Sequence, residues 1–337
     1  MLPIANAIEE IAGVEPQSLS DELLTRTQPA VLRGLVSSWP VARAGRDSAA
    51  ATDAYLRRFY KDATVNAMLG APDIGGRFFY SDDLSGFNFK PVRIRLDAVL
   101  DEIARQSKSE IPPAIYVGST TVDTCLPGFR AENDLALGNR QPLVSIWLGN
   151  RTRIAAHHDL PDNIACVVAG RRRFTLFPPE QLENLYIGPL DFTPAGQAIS
   201  LVDFARPDFA KFPKFAAALQ QAQVAELGPG DAIFIPSMWW HHIESLEALN
   251  VLVNYWWRQS PAFMDSPMNA LMLAILTVRD LPPEQLKAWQ NLFRHYVFEA
   301  DERTLAHIPP QARRVLGPLD ADSARELRAR LLQRLNR

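Results

Sequence analysis

Cysteine is the residue that this sequence has least of. Only Cys125 and Cys166 occur among 337 residues, and neither lies at a spacing typical of metal ligands. Two cysteines cannot supply a disulfide framework, and a chain of this length with 47% hydrophobic residues folds around an apolar core without one. We therefore expect a protein of the reducing cytoplasm.

The sequence also lacks an excess of basic residues and a long apolar run. Its formal net charge of −3 gives no electrostatic reason to expect nucleic acid or an anionic membrane as a partner. The run from Ala270 to Val278 has half of the roughly 18 apolar residues that a membrane helix needs. Glu9 and Glu10 lie where a secretory signal would be basic and then apolar. We expect neither a signal peptide nor a membrane span.

Histidine is scarce but clustered. Four of the six histidines form two doublets, His157-His158, followed by Asp159, and His241-His242, preceded by two tryptophans. Both doublets adjoin predicted strands. Residues two apart on a strand share a face, so His157 and Asp159 point one way and His158 the other.

A third ligand from the second doublet would complete two nitrogens and one oxygen on one side of a metal, leaving the opposite positions open. Strand parity does not choose between His241 and His242, because the doublet can end its strand. Two buried histidine pairs without a metal are the alternative, since His-x-Asp alone is a weak motif.

Residues 111–257 contain short β-type runs separated by Gly, Pro and Asn. Many short strands without long intervening helices predict a sandwich or a barrel, and a jelly roll encloses a site in its mouth. The predicted strands are residues 114–118, 143–148, 164–168, 174–177, 232–235 and 249–255.

Helical patterns flank this β region. Residues 1–110 are predicted to form an N-terminal α/β extension that packs on the core, with a strand at 29–34, a turn at Trp39-Pro40 and helices at 47–60 and 96–103. Residues 261–337 are predicted to be helical at 268–279, 283–298 and 322–335. Apolar residues such as Leu271 and Leu276 would pack on the barrel or against a second copy, so a homodimer is one expectation.

Several motifs recur in an order that resembles one family. They are His157-His158-Asp159 followed by Asn163, Gly170-Arg171-Arg172-Arg173-Phe174, Phe177-Pro178-Pro179, Pro229-Gly230-Asp231, Trp239-Trp240-His241-His242 and Asn254-Tyr255-Trp256. Together they resemble the JmjC group of cupin-like oxygenases that depend on iron and 2-oxoglutarate. The resemblance covers roughly two thirds of the chain, from Pro29 to Trp256.

This resemblance implies a mainly β fold with flanking helices, a double-stranded β-helix (jelly roll) core for residues 111–260 and C-terminal helices for residues 261–337. It implies Fe(II) bound by His157, Asp159 and His241. It also implies that 2-oxoglutarate, the co-substrate, is held through its remote carboxylate by Arg172 and Tyr116, with Asn254 and Asn163 nearer the iron. His158 and His242 become supporting residues.

Alternatives stay open at the co-substrate residues. Arg172 could be a solvated member of the basic run, although strand alternation points it away from Arg171 and Arg173. Tyr116 and Asn254 could have structural roles alone. Ile154 lies where the family's asparaginyl hydroxylase has a threonine that hydrogen-bonds the co-substrate, and Thr152 is expected to lie too far away to replace it.

The reaction that the resemblance implies is hydroxylation of a protein side chain or a small molecule by O₂, with formation of succinate and CO₂. The carboxylate of Asp159 favours hydroxylation over halogenation, because iron halogenases of this type lack it. Two other classes remain: a cupin-type Zn or Mn enzyme without 2-oxoglutarate, and a non-catalytic jelly-roll binding module.

Overall fold

Fifteen strands form the framework of the described part of the chain. The computed structural model describes residue 2 and residues 4–336. The strands are β1 (Asn6–Ala7), β2 (Glu9–Ala12), β3 (Ala30–Arg33), β4 (Thr64–Gly70), β5 (Arg77–Phe78), β6 (Phe89–Arg95), β7 (Ala114–Thr121), β8 (Leu143–Gly149), β9 (Arg153–His157), β10 (Asp162–Ala169), β11 (Arg172–Phe177), β12 (Gln223–Leu227), β13 (Ala232–Ile235), β14 (Trp240–Ser245) and β15 (Asn250–Trp257).

The strands belong to two sheets. The smaller has six strands in the order β1-β12-β11-β14-β9-β5, and the larger has nine in the order β2-β3-β13-β10-β15-β8-β7-β4-β6. The chain changes sheet between β9 and β10, between β10 and β11, between β13 and β14, and between β14 and β15. This alternation winds the chain around an interior, which confirms the predicted jelly-roll core.

The centre of the larger sheet is buried on both faces. All eight residues of β10 are buried, as expected for a strand that is covered on both sides. One apolar cluster packs outside this sheet and includes Trp39, Leu56 and Leu100. A second cluster, between the sheets, includes Val31, Phe174 and Leu252. The nearly continuous apolar run in β10 therefore follows from its central place.

Nine α-helices accompany the strands in the described residues. They are α1 (Asp21–Leu24), α2 (Pro40–Asp47), α3 (Ala49–Arg57), α4 (Leu96–Gln106), α5 (Val122–Cys125), α6 (Phe215–Gln221), α7 (Pro267–Thr277), α8 (Pro283–Phe293) and α9 (Ala321–Leu335). A π-helical turn, Arg294–Phe298, directly follows α8.

One helix prediction was wrong in its boundaries. The single helix expected at 47–60 is α3, and its N-cap is Ser48, whose hydroxyl accepts a hydrogen bond from the amide of Ala51 at 3.0 Å. The turn expected at Trp39-Pro40 is the start of α2, because proline at the first helical position has the required φ and needs no hydrogen-bond acceptor.

Contacts divide the chain into two compact units, one that ends at Trp257 and one that begins at Arg258. In the first unit, residues 1–110 add β1–β6 to the same two sheets. The second unit contains α7, α8 and α9, and neither α7 nor α8 has a buried residue. Among the residues that the structure describes, no helix is long and apolar enough to cross a membrane.

Candidate metal centre

The two histidine doublets meet at neighbouring strands. β9 ends at His157, and β14 begins at Trp240 and pairs antiparallel with β9, with His241 opposite His157. Asp159 lies just beyond the end of β9. One possible ligand atom from each of His157, Asp159 and His241 lies within 4.8 Å of the others. A shared ion about 2 Å from each ligand atom would draw these atoms to within about 4 Å of one another, a small adjustment of the side chains.

Hydrogen bonds fix which nitrogen of each imidazole is available. His157 Nδ1 lies 2.9 Å from the carbonyl oxygen of Ala155, and His241 Nδ1 lies 3.0 Å from that of Trp239. A carbonyl oxygen only accepts, so each Nδ1 must carry the proton. The Nε2 lone pair of each ring is then free for a metal, an arrangement typical of metal-binding histidines.

Burial and neighbouring groups shift the pKa of two of the three side chains, His157 and Asp159. Burial, followed by the neighbouring His241, lowers the pKa of His157 to about 4, so its ring is neutral at physiological pH. Burial acts to raise the pKa of Asp159, but the nearby imidazoles, His241 above all, outweigh it and hold the pKa below its ordinary value. The cluster thus offers two nitrogens and one carboxylate, a ligand set suited to Fe(II).

Two further contacts hold this cluster in place. Gln197 Nε2 donates to Asp159 Oδ1 at 3.3 Å, while Asp159 Oδ2 lies 3.5 Å from His241 Nε2. The amide of Met238 donates to the carbonyl oxygen of Asp159 at 2.9 Å, and Met238 adopts a left-handed φ of 68° that is strained for a side chain of this size. The turn before β14 is therefore tied to the segment that carries Asp159.

Gln197 is a site residue that the sequence does not predict. It belongs to an irregular segment between β11 and β12, 38 residues from its partner along the chain. A lone glutamine in such a segment carries no local signal of a site.

The three candidate metal ligands line a cavity of about 450 Å³ between the two sheets. Its size lies in the range that holds a small organic ligand. The predicted co-substrate residues Tyr116, Asn163, Arg172 and Asn254 line the same cavity, as does Ile154.

Arg172 is a buried cation without a carboxylate partner. Its side chain is on the cavity side of β11, the residue is 2% exposed, and its Nη2 donates to the carbonyl oxygen of Trp147 at 3.4 Å. Its Nε has no hydrogen-bond partner, and it forms no ion pair with any described residue. Arg171 and Arg173, in contrast, pair with glutamates. Burial lowers the pKa of Arg172 to about 10, so it remains charged at neutral pH.

Tyr116 accompanies Arg172 in the cavity wall. It belongs to β7, and burial raises the pKa of its phenol while the nearby charge of Arg172 partly offsets that effect. Its ring packs 5.8 Å from that of Phe78 and 6.1 Å from that of Trp147. The hydroxyl is therefore protonated and able to donate a hydrogen bond.

The two asparagines are joined in a hydrogen-bonded chain. The indole of Trp147 donates to Asn254 Oδ1 at 2.7 Å, and Asn254 Nδ2 donates to Asn163 Oδ1 at 3.2 Å. Register explains the contact, because Asn254 lies opposite Ala165 and Asn163 opposite Trp256 on adjacent strands. Asn254 thereby fixes the orientation of Asn163 at the cavity wall.

Three further residues considered from the sequence do not line the cavity: Thr152, His158 and His242. Thr152 does not line the cavity, and its hydroxyl lies 3.2 Å from that of Ser245, so it cannot replace the threonine that Ile154 displaces. His158 packs edge-on against the ring of Trp240, and His242 packs against Phe204, each at 4.5 Å. The structure thus places both outside the cluster.

Comparisons with known proteins agree with this geometry. The family model described as "Cupin-like domain" matches residues 16–263. "Lysine-specific demethylase 8" of Xenopus tropicalis is 26% identical over 263 residues, which cover 76% of this chain and 55% of that protein. "Lysine-specific demethylase JMJ31" of Arabidopsis thaliana is 34% identical over 129 residues, covering 36% of this chain and 23% of that protein.

A third relative has a name of a different kind. "tRNA wybutosine-synthesizing protein 5" of Gallus gallus is 36% identical over 106 residues, which cover 32% of this chain and 30% of that protein. The chain therefore spans from about a quarter to about half the length of these relatives. The family match includes β9 and β14, which carry His157 and His241, together with Asp159, so the chain belongs to the cupin-like domain family.

Proposed function

We propose that the protein is an oxygenase that depends on Fe(II) and 2-oxoglutarate. One observation carries the proposal: a buried, unpaired Arg172 lines the same cavity as a three-ligand metal cluster. A buried guanidinium without an anion is costly, so the cavity suits a ligand that brings a carboxylate. The match to the cupin-like family model and the similarity to two lysine-specific demethylases also support the proposal.

The side chains fit both groups. His157, Asp159 and His241 would hold Fe(II) through two nitrogens and an oxygen, which leaves coordination positions for other ligands. Arg172 and Tyr116 would hold the remote carboxylate of 2-oxoglutarate, the first as a bidentate donor and the second through its hydroxyl.

When bound, iron with 2-oxoglutarate and O₂ supplies oxidative decarboxylation to succinate and CO₂ and the oxidation of a C–H bond in the substrate. The chain contributes position and exclusion of water. Asn254 orients Asn163 beside the metal ligands, Gln197 restrains the carboxylate of Asp159, and Ile154 makes the adjoining wall apolar. We place hydroxylation as the primary reaction; demethylation would follow from hydroxylation of an N-methyl group.

A metal enzyme that does not use 2-oxoglutarate fits the cavity less well. It would have the same three ligands but would leave Arg172 buried and unpaired. A non-catalytic jelly roll would have no use for two imidazoles held in the metal-binding tautomer.

We also propose that the protein is a homodimer through residues 258–337. Support comes from apolar side chains that are exposed on α7 and α8, among them Leu271, Leu276 and Trp289. Analytical ultracentrifugation of the full chain and of Leu276→Glu tests this proposal, and a monomer for the unmodified chain would contradict it. The cytoplasmic location remains a prediction from the two unpaired cysteines.

The test of the activity measures succinate from 2-oxoglutarate with Fe(II), alongside calorimetric binding of N-oxalylglycine, an inert analogue, to the Mn(II)-loaded protein. We expect Fe(II)-dependent succinate formation and analogue binding, both lost in Asp159→Ala. Arg171→Met, an exposed change on the same strand end, serves as the control. Stable metal binding with no analogue binding would refute the proposal.

A further inference from the structure

The cavity offers more room than the co-substrate requires. At about 450 Å³ it is larger than a small dicarboxylate needs, and its wall extends past the metal ligands to β4 and to the irregular segment that contains Gln197. The rest of the space is available to the substrate. The chemistry of this remaining wall therefore decides which group is admitted.

The wall has few ionisable side chains, and each already has a partner in the proposed function. They are His157, Asp159, Arg172, His241 and the phenol of Tyr116. The two charges of Fe(II) balance the two carboxylates of 2-oxoglutarate, and Arg172 balances Asp159. The loaded cavity then has no net charge, and its lining holds no further carboxylate to face a substrate.

The rest of the lining is apolar or carries neutral amides. Met68, on β4, packs with Phe78 and Tyr116, and Pro194 and Ile199 close another part of the wall. The polar side chains beyond the co-substrate residues include the amides of Asn66 and Gln197 and the hydroxyl of Ser119. Such a wall solvates an uncharged group well and a cation poorly.

Aromatic rings do not form a cage for a cation in this wall. A cage presents several ring faces to one charge about 6 Å or less from each centroid. Here Trp147 packs against Tyr116 at 6.1 Å and edge-on against Trp256 at 5.5 Å, so the rings occupy one another's faces and edges.

The rim adds a positive charge. β4 pairs with β6, and Asn66 lies opposite Arg93, so both side chains are on the same face of the sheet. Arg93 is exposed, its Nε donates to the hydroxyl of Thr64 at 3.2 Å, and it forms no ion pair within residues 4–336. A cationic group that approaches past Asn66 meets repulsion.

We propose that the group oxidised in this site is uncharged and that methylated ammonium groups are excluded. The inference rests on the proposed oxygenase function and defines its substrate class. It separates this chain from the substrate implied by the names of two relatives, which are lysine-specific demethylases.

The experiment uses two probes of the same shape and different charge. One is Nα-acetyl-Nε-trimethyl-lysine amide. The other is the same compound with a carbon atom in place of the quaternary nitrogen, so that its side chain ends in an uncharged tert-butyl group. Binding of each is measured by calorimetry to the full chain loaded with Mn(II) and N-oxalylglycine. We expect the neutral probe to bind at least about tenfold more tightly, because the cation loses water without gaining a carboxylate.

A matched pair of variants at Met68 tests the electrostatic cause. Met68→Glu adds a carboxylate to the wall, whereas Met68→Gln has nearly the same shape without the charge. We expect Met68→Glu to shift the preference towards the trimethylammonium probe by about tenfold or more and Met68→Gln to keep the preference for the neutral probe.

Two results would overturn the inference: equal or tighter binding of the cationic probe to the unmodified chain, or binding of neither probe to the loaded protein. If the oxygenase proposal itself is wrong, N-oxalylglycine will not bind in the first stage of the same titration, before either probe is added. If N-oxalylglycine binds but the protein then binds the cationic probe more tightly than the neutral one, only the proposed substrate class is contradicted.

Discussion

Replacement of Arg172 by methionine should change stability and co-substrate binding in opposite directions. Arg172 is 2% exposed and has no carboxylate partner among the described residues. The burial that lowers its pKa to about 10 corresponds to a cost of about 3 kcal/mol for the charged form. Methionine fills similar space without this cost. We expect the metal-free Arg172→Met protein to be more stable by about 1–3 kcal/mol, which raises Tm by roughly 2–6 °C.

The same substitution should weaken the binding of 2-oxoglutarate. Loss of one member of a buried charge pair costs about 3 kcal/mol, which is on the order of 100-fold in the dissociation constant. Binding of N-oxalylglycine to Mn(II)-loaded protein by calorimetry measures this change. Mn(II) affinity should stay close to that of the unmodified chain, because the three metal ligands are unaffected.

Differential scanning calorimetry in a buffer without carboxylates measures the stability change after metal removal. Arg171→Met is the control, since it removes a charge from the same strand end at an exposed position paired with Glu247. It should alter neither Tm nor analogue binding appreciably. A lower Tm for metal-free Arg172→Met together with unchanged analogue affinity would refute the reasoning, because Arg172 would then be a satisfied structural residue.

The remaining predictions concern the metal, the packing and the thiols. Asp159→Ala should reduce Mn(II) affinity by about 100-fold or more, measured by electron paramagnetic resonance, and retention of affinity would exclude this carboxylate as a ligand. Gly45→Ala should lower the free energy of unfolding by about 3 kcal/mol and Tm by roughly 6 °C or more, since the added Cβ would lie 1.9 Å from the carbonyl oxygen of Val168. Gly228→Ala is the control, because the space around Gly228 is open, and it should leave Tm within about 1 °C. Burial raises the pKa of Cys125 from 9.0 to about 12, so the unfolded chain loses the thiol proton at a lower pH than the folded chain. The free energy of unfolding should therefore fall by roughly 1.4 kcal/mol per pH unit between pH 9 and 12. Denaturant titrations of Cys125→Ala across this pH range should lack that part of the fall seen in the unmodified chain.

Local sequence pattern predicted the parts of the site that lie close together along the chain. The two-residue period of a strand placed His157 and Asp159 on one side and His158 on the other. Of these three residues, His157 and Asp159 line the cavity and His158 does not. Alternation likewise pointed Arg172 away from Arg171 and Arg173, as the structure has it. The short strands separated by turns predicted the jelly-roll class, because strand length and spacing are local properties.

Local pattern could not select between His241 and His242. The choice depends on where β14 begins and on its register with β9, in which His241 lies opposite His157 while Ile243 lies opposite Ile154. Two residues of β9, Ala155 and Ala156, thus lie opposite the single residue His242 of β14, so a β-bulge sets which side chains face the cavity. The motif resemblance supplied His241 where parity alone left both open.

The sequence by itself determined the types of the candidate ligands, the mainly β class of residues 111–257 and the side of its strand that each neighbouring residue faces, since these follow from residue type and backbone period. Only the tertiary structure decided that Gln197 reaches Asp159, that Arg172 has no carboxylate partner among the described residues, and that Arg93 lies opposite Asn66 at the rim. Each of these facts depends on strands or segments far apart in sequence. Their distances are set by sheet pairing and by the packing of two sheets around one cavity, which no local window of residues contains.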